Sequence, residues 1–233
     1  MSVSQIKKEL KKAGNPQKAA VLKKFFKTGP GQYAEGDIFI GVMVPQVRAI
    51  VKKYIHINLK DALHLLRSPI HEERLTALLI LVAKYKKENI KNRIFELYLK
   101  NTKFINNWDL VDLSAEHIIG AHLMARNRAL LMDLSRSPNL WERRIAVLST
   151  FHFIKHNSFD PTFRVSRMLL NDKEDLIHKA VGWMLREVGK RDQKTLEEDF
   201  LRRFYRAMPR TMLRYTIERF PAKKRLAYLK SQI

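Results

Sequence analysis

The sequence predicts an all-α chain, a right-handed helical solenoid of stacked helix pairs (an α–α superhelix). Two observations carry the prediction. From Val44 onward, apolar residues recur at helical spacing almost without interruption. A helix–turn–helix unit also returns at a fixed interval: "LLRSPIHEERLTALLI" starts at Leu65, "LKNTKFINNWDLVDLS" at Leu99, "LSRSPNLWERRIAVLS" at Leu134 and "LLNDKEDLIHKAVGWM" at Leu169, separated by 34, 35 and 35 residues. A fainter copy, "FYRAMPRTMLRYTIER", begins 35 further on at Phe204. Each copy ends one helix, turns at Ser-Pro, Asn-Asp or Met-Pro, and launches a second, more apolar helix. Helix pairs at this period bury their faces against neighbouring copies, so the repeats are HEAT-like.

The elements ahead of the repeats follow in order, and 1–233 reads as one domain. Residues 1–27 are two basic helices, "SVSQIKKELKKAG" and "NPQKAAVLKKFFK", with eight lysines against one glutamate. Asn15-Pro16 supplies a cap and a first-turn proline for the second. Residues 28–44 hold Gly29, Gly31, Gly36 and Gly41, half of all the glycines, and form a loop with a short extended piece at 37–40. A phosphate-binding loop is the functional alternative there, but no Gly-Lys-Ser/Thr follows and no βαβ pattern flanks it, which favours a connector. Residues 45–233 are the stacked helical repeats.

Composition bounds the function. Lys and Arg number 45 against 23 acidic residues, a net charge of +22 and a pI near 10.3. A field of that size favours a polyanionic partner, nucleic acid before an anionic membrane surface. With no cysteine, disulfides, thiol catalysis and Cys-bound zinc are excluded, which suits a reducing cytoplasm. The start "MSVSQIKKELKKAG" lacks a signal-type apolar core, and the longest apolar run, Leu75 to Ala83, is too short to span a bilayer. The expectation is a cytoplasmic monomer, nucleoid-associated in a bacterial cell. The His residues include the pair His152 and His156 and "HEER" at His71, but no HExxH spacing occurs, so neither a metal site nor a cofactor is expected.

The repeat also works as a ruler. Thirteen residues after each starting Leu lie Leu78, Asp112, Val147 and Gly182; nine after it lie Arg74, Trp108, Arg143 and His178; ten after it lie Leu75, Asp109, Arg144 and Lys179. Asp112 therefore stands where other copies place a packing residue. It lies four residues after Trp108, on the same helix face and about 6 Å away at Cβ, in a stretch, Ile105 to His122, that reads as the start of an amphipathic helix. Asp109 suits the first turn of that helix and its dipole. A structural charge pair between Asp112 and Arg144 is the alternative to a chemical role. Trp183 reads as either core or site, and Trp141 as a helix-start packing residue.

"NNWDLVDLSA", "LWERRIAVLSTFHFIK", "DLIHKAVGWMLREVGKRD" and "MPRTMLRYTIERF", supported by "FIGVMVPQVRAI" and "HEERLTALLILV", resemble the AlkC/AlkD-like DNA alkylation repair glycosylases from Ile38 to Phe220. That resemblance implies excision of positively charged N3- and N7-alkylpurines from duplex DNA. It places the catalytic carboxylate on Asp112, the partnering tryptophans on Trp108 and Trp183, and the active-site arginine on Arg144. Asn107 departs from the pattern, standing where some active relatives carry an aromatic. The wider cationic surface, including Arg143, Lys179, Arg186, Lys190, Arg210 and Arg214, is expected to contact phosphate. A non-catalytic binder of duplex or branched DNA and an adaptor for acidic protein or RNA are the competing readings.

Overall fold

The structure, a computed structural model, describes residues 2–87 and 89–233. It is all-α and built of HEAT-like helix pairs. Among the described residues the β structure is limited to an isolated parallel bridge between Ile38 and Ile70. The chain divides into two compact units that meet at Ser114 and Ala115.

The first unit contains α1 (Val3–Ala13), α2 (Pro16–Phe25), α3 (Val44–Tyr54), α4 (Leu59–Leu66), α5 (His71–Lys87), α6 (Lys91–Lys100) and α7 (Trp108–Asp112). Its centre is α5, which packs against α1, α3, α4, α6 and α7. The apolar run seen in the sequence explains that place, because a helix apolar on nearly every side must be surrounded. Local caps set the outer helices. Asn15 caps α2 ahead of Pro16, as the sequence predicts, and Ser2 and Gln5 close a capping box on α1.

The second unit opens with a π-helical turn (Glu116–Gly120) leading into α8 (Ala121–Leu123). It continues with α9 (Ala129–Ser135), α10 (Leu140–Lys155), α11 (Asp160–Met168), α12 (Asp175–Gly189) and α13 (Gln193–Leu196). A second π turn (Glu197–Leu201) joins α14 (Arg202–Phe204), and α15 (Arg210–Thr216) and α16 (Ala222–Leu229) complete the unit. Here α10 is the central helix, packed against α8, α9, α11 and α12, while α12 also packs on α15. Gly182 permits that last contact: a Cβ there would lie 2.5 Å from the Tyr215 Cβ and 2.6 Å from the Met212 carbonyl oxygen.

The repeat is visible in its turns. The Ser68 hydroxyl accepts from the Ile70 N–H, Ser137 from Asn139 and the Asp172 carboxylate from Glu174, at equivalent positions. The residue six further on then reaches back to the turn. Arg74 donates to the Ser68 and Pro69 carbonyls, Arg143 to those of Ser137 and Pro138, and His178 Nε2 lies 2.5 Å from the Asp172 carbonyl. In the copy that starts at Leu99 this clasp position holds Trp108.

The helix that starts within Ile105–His122 is short. α7 spans only Trp108–Asp112, and Leu113–Ser114 form a turn before the π segment. The Ser114 hydroxyl donates to the Leu110 carbonyl at 2.5 Å, and the Ser114 N–H turns to Val111. Such back-bonding draws a carbonyl out of the helical ladder.

The glycine-rich loop is a connector. The buried Glu72 carboxylate accepts from the N–H groups of Ile40, Gly41 and Val42, at 2.8 Å for Gly41. An internal anion thus fills the place a phosphate would take. Gly41 has φ +83°, and a Cβ there would lie 2.1 Å from the Asn15 carbonyl oxygen. Glu72→Ala strands these donors, and the expected loss is about 3 kcal/mol of unfolding free energy, read from urea titrations. A loss under about 1 kcal/mol would mean that water replaces the carboxylate.

Candidate functional site

The candidate site in the first unit is built on α7. Asn107, fully buried, caps the helix by accepting the Trp108 N–H at 2.8 Å, and its Nδ2 donates to Asp37 at 3.2 Å. The residue that departs from the resemblance is therefore fixed as a cap and a tether. Trp108, half-buried, stacks on Phe26 with ring centroids 5.0 Å apart and takes the edge of Phe25 at 5.7 Å. Its indole N–H donates to the Tyr33 hydroxyl at 3.2 Å. Phe25 itself is 61% exposed, so the aromatic cluster reaches solvent.

Asp112 is half-buried at the end of α7. The corresponding Leu78, Val147 and Gly182 are buried, so the carboxylate occupies a packing position without being enclosed as its counterparts are. Burial pushes the Tyr98 hydroxyl well above its ordinary pKa; its hydrogen bond with Ser114 works against that, and the Asp112 charge adds to it.

Beneath α7 lies a buried charged network. His71 Nε2 is 2.8 Å from Asp109, and Nδ1 is 3.1 Å from Asp37. Arg74 donates to the other Asp37 oxygen at 2.5 Å. The imidazole stacks on Phe39 at 4.4 Å and sits 5.2 Å from Phe26. Burial alone pulls the His71 pKa down, but the Asp109 charge and hydrogen bond, and then those of Asp37, raise it to about 9. Burial lifts Asp37, and its contacts with His71, Arg74 and Asn107 bring it below the usual carboxylate range. At neutral pH an imidazolium and a guanidinium thus face two carboxylates.

The remaining predicted residues lie in the second unit. Arg144 is 5% exposed and donates to the Leu176 carbonyl at 2.6 Å. Trp183 is half-buried, 6.1 Å from Phe151 between ring centroids. Arg143 pairs with Asp172 at 2.6 Å as well as holding its turn. Lys179 pairs with Asp175 at 2.7 Å, Lys190 with Glu187 at 2.6 Å and Arg186 with Glu218. Arg210 donates to the Leu229 carbonyl, and Arg214 is exposed. Trp141 is buried at the start of α10, as expected. Pairs on the surface are weakly held and exchange readily for another anion. Among the described residues no group of three or more His, Asp or Glu could hold a metal ion, and no helix is long and apolar enough to cross a membrane.

The profile of the DNA alkylation repair enzyme family matches residues 6–220. The chain belongs to that family. A solved structure described as a predicted DNA alkylation repair enzyme from Enterococcus faecalis superposes with a TM-score of 0.68 at 16% identity. The alignment covers 90% of this chain and 97% of that one. At this identity the likeness establishes the fold. No curated protein sequence matches. Family membership places this chain in DNA alkylation repair.

Sequence reasoning missed Asp37, His71, Arg74, Phe25, Phe26, Phe39 and Tyr33. For Arg74 a signal existed, since it shares its register position with Arg143. For Asp37 none did, because nothing in a glycine-rich loop announces a contact 70 residues away.

His71 gives a pH signature. Its folded pKa, near 9, exceeds the unfolded value of about 6.5. The stabilisation is full below the unfolded value and is lost as pH rises through the folded one. The melting temperature should decline from about pH 7 to pH 10, and His71→Gln should flatten that decline. Parallel profiles for the two proteins would exclude His71 as its origin.

Proposed function

We propose that this family member is a monofunctional DNA glycosylase that hydrolyses the N-glycosidic bond of positively charged N3- and N7-alkylpurines in duplex DNA. The observation that carries the reading is Asp112: a half-exposed carboxylate four residues from Trp108, at a position where three other copies bury a packing residue. In a chain of net charge +22, a solvent-reaching carboxylate works against attraction to a polyanion, so a chemical role accounts for it better than affinity does.

The chemistry suits these residue types. An alkylated purine already carries positive charge and leaves without a strong general acid. As the bond breaks, positive charge builds on the sugar, and a fixed carboxylate stabilises it and orients the attacking water. A charge pair at about 4 Å with an effective dielectric near 20 is worth about 4 kcal/mol, and part of that amounts to roughly 10²–10³ in rate. In this reading Trp108 holds the cation, at about 0.5–2 kcal/mol, and Trp183 is the second tryptophan that the resemblance implies. Arg144, buried and donating to the Leu176 carbonyl, is left out of phosphate binding, and Lys179, Arg186, Lys190, Arg210 and Arg214 supply the sequence-independent attraction to duplex. Arg143 is assigned to its turn and to Asp172. The reading requires no cofactor, and its setting is a monomer in the cytoplasm, at the nucleoid in a bacterial cell.

The test is release of free base from duplex containing 7-methylguanine or 3-methyladenine, comparing wild type with Asp112→Asn at matched DNA occupancy. Release by wild type and a fall of about tenfold or more in the variant is the expected result. Salt-sensitive binding without release would assign the chain instead to non-catalytic recognition of duplex or branched DNA.

A further inference from the structure

A five-residue helix has almost no intrahelical bonding of its own, so the direction in which α7 presents its side chains is set from outside. Its N-terminal end is held at two places, both on the buried network: Asn107 through Asp37 and Asp109 through His71. His71 is the member that touches both carboxylates. Its ring also lies against Phe26, the residue on which Trp108 stacks. One side chain thus reaches the helix by a hydrogen bond and its tryptophan through an aromatic neighbour.

The repeat argues that this histidine is not a requirement of the fold. In the two copies that follow, the position equivalent to His71 holds Ile105, fully buried, and Leu140. An aliphatic residue therefore satisfies the packing of a repeat at this point. Burying four charges is costly even when they are paired, and apolar replacements of such networks are often neutral or stabilising. What the charged arrangement adds is direction, because hydrogen bonds to two fixed carboxylates permit one ring orientation and aliphatic contacts permit several.

We propose that His71 is the positioning residue of the candidate site: its contacts with Asp37 and Asp109 set the orientation of α7, and thereby the placement of Asp112 and Trp108. The proposal rests on the reading of Asp112 as the reacting carboxylate. His71 touches neither substrate nor the reacting atoms in this account. Its loss lowers the rate of bond cleavage and leaves DNA affinity, which comes from the distributed cations, nearly unchanged.

The experiment measures single-turnover base release and DNA affinity for His71→Gln, alongside fluorine NMR of protein labelled with fluorotryptophan, with the Trp108 resonance assigned by Trp108→Phe. The expected result is release slowed by about tenfold or more, affinity within about twofold, and a displaced Trp108 resonance. Free imidazole should restore part of the rate to His71→Ala, since a buried ring-sized cavity can admit a ring-sized ligand. Unchanged release by folded His71→Gln, or an unmoved Trp108 resonance, overturns the proposal. If wild type releases no base, the glycosylase reading alone fails, and the resonance still decides the role of His71. Should His71→Gln not fold, Asp109→Asn removes the charge from the other end of the same contact, and the same two readouts decide.

Discussion

The hydrogen bond between His71 and Asp109, 2.8 Å long and closed off from solvent, joins the central helix of the first unit to the short helix that carries the candidate carboxylate. Asp37 brings the glycine-rich loop to the same ring, and Arg74 completes the charge balance. Each of the four residues has an ion-pair partner among the others. A buried carboxylate that loses its cation keeps its desolvation cost without compensation, so the network behaves as one object and not as four contacts. Glu72, beside His71 in sequence, holds the same loop by its backbone. Two adjacent residues of α5 thus fix the loop, and through Asp37 and Asp109 they fix α7.

The two kinds of charge in this protein do different work. The network beneath α7 is electrically balanced and shielded from solvent, which makes it directional and little screened by salt. The excess that gives the chain its +22 lies largely on side chains open to solvent, where screening acts and where pairs such as Lys179 with Asp175 are easily exchanged. In the proposed reading, recognition of a polyanion and orientation of the reacting group are thereby physically separated. Arg143 shows how the distinction can mislead: it is one of many basic residues in the sequence, yet Asp172 and two turn carbonyls occupy it.

The all-α class, the repeat and its turns were legible in the sequence because each follows from local periodicity and from Ser-Pro or Asn-Asp chemistry. Asp112 was legible as an exception to the repeat, since Leu78, Val147 and Gly182 set an expectation that it breaks. The break after Asp112 was not legible. The Ser114 hydroxyl bonds the carbonyl four residues back, but Ser149 makes the same bond inside an intact helix, so the residue type alone does not announce the break. Nor was the aromatic floor of the site legible. Phe25 and Phe26 sit on a basic helix whose pattern gives no reason to expect Trp108 beside them, and their meeting is decided by the path of the intervening loop.

The turn clasps carry a consequence for the order in which the chain assembles. Arg143 meets its turn carbonyls across five and six residues, whereas Asp37 and Asn107 are 70 apart. By loop-closure entropy alone the longer connection costs about 2 kcal/mol more to bring together. Contacts of short span form early and re-form quickly, while distant ones wait for the rest of the chain. In a nascent or partly opened molecule the repeats can therefore be present before α7 has its bearing, and on partial unfolding α7 would lose that bearing first. Measured by the sequence distance it must close, the helix that carries Asp112 is the last part of its unit to be set.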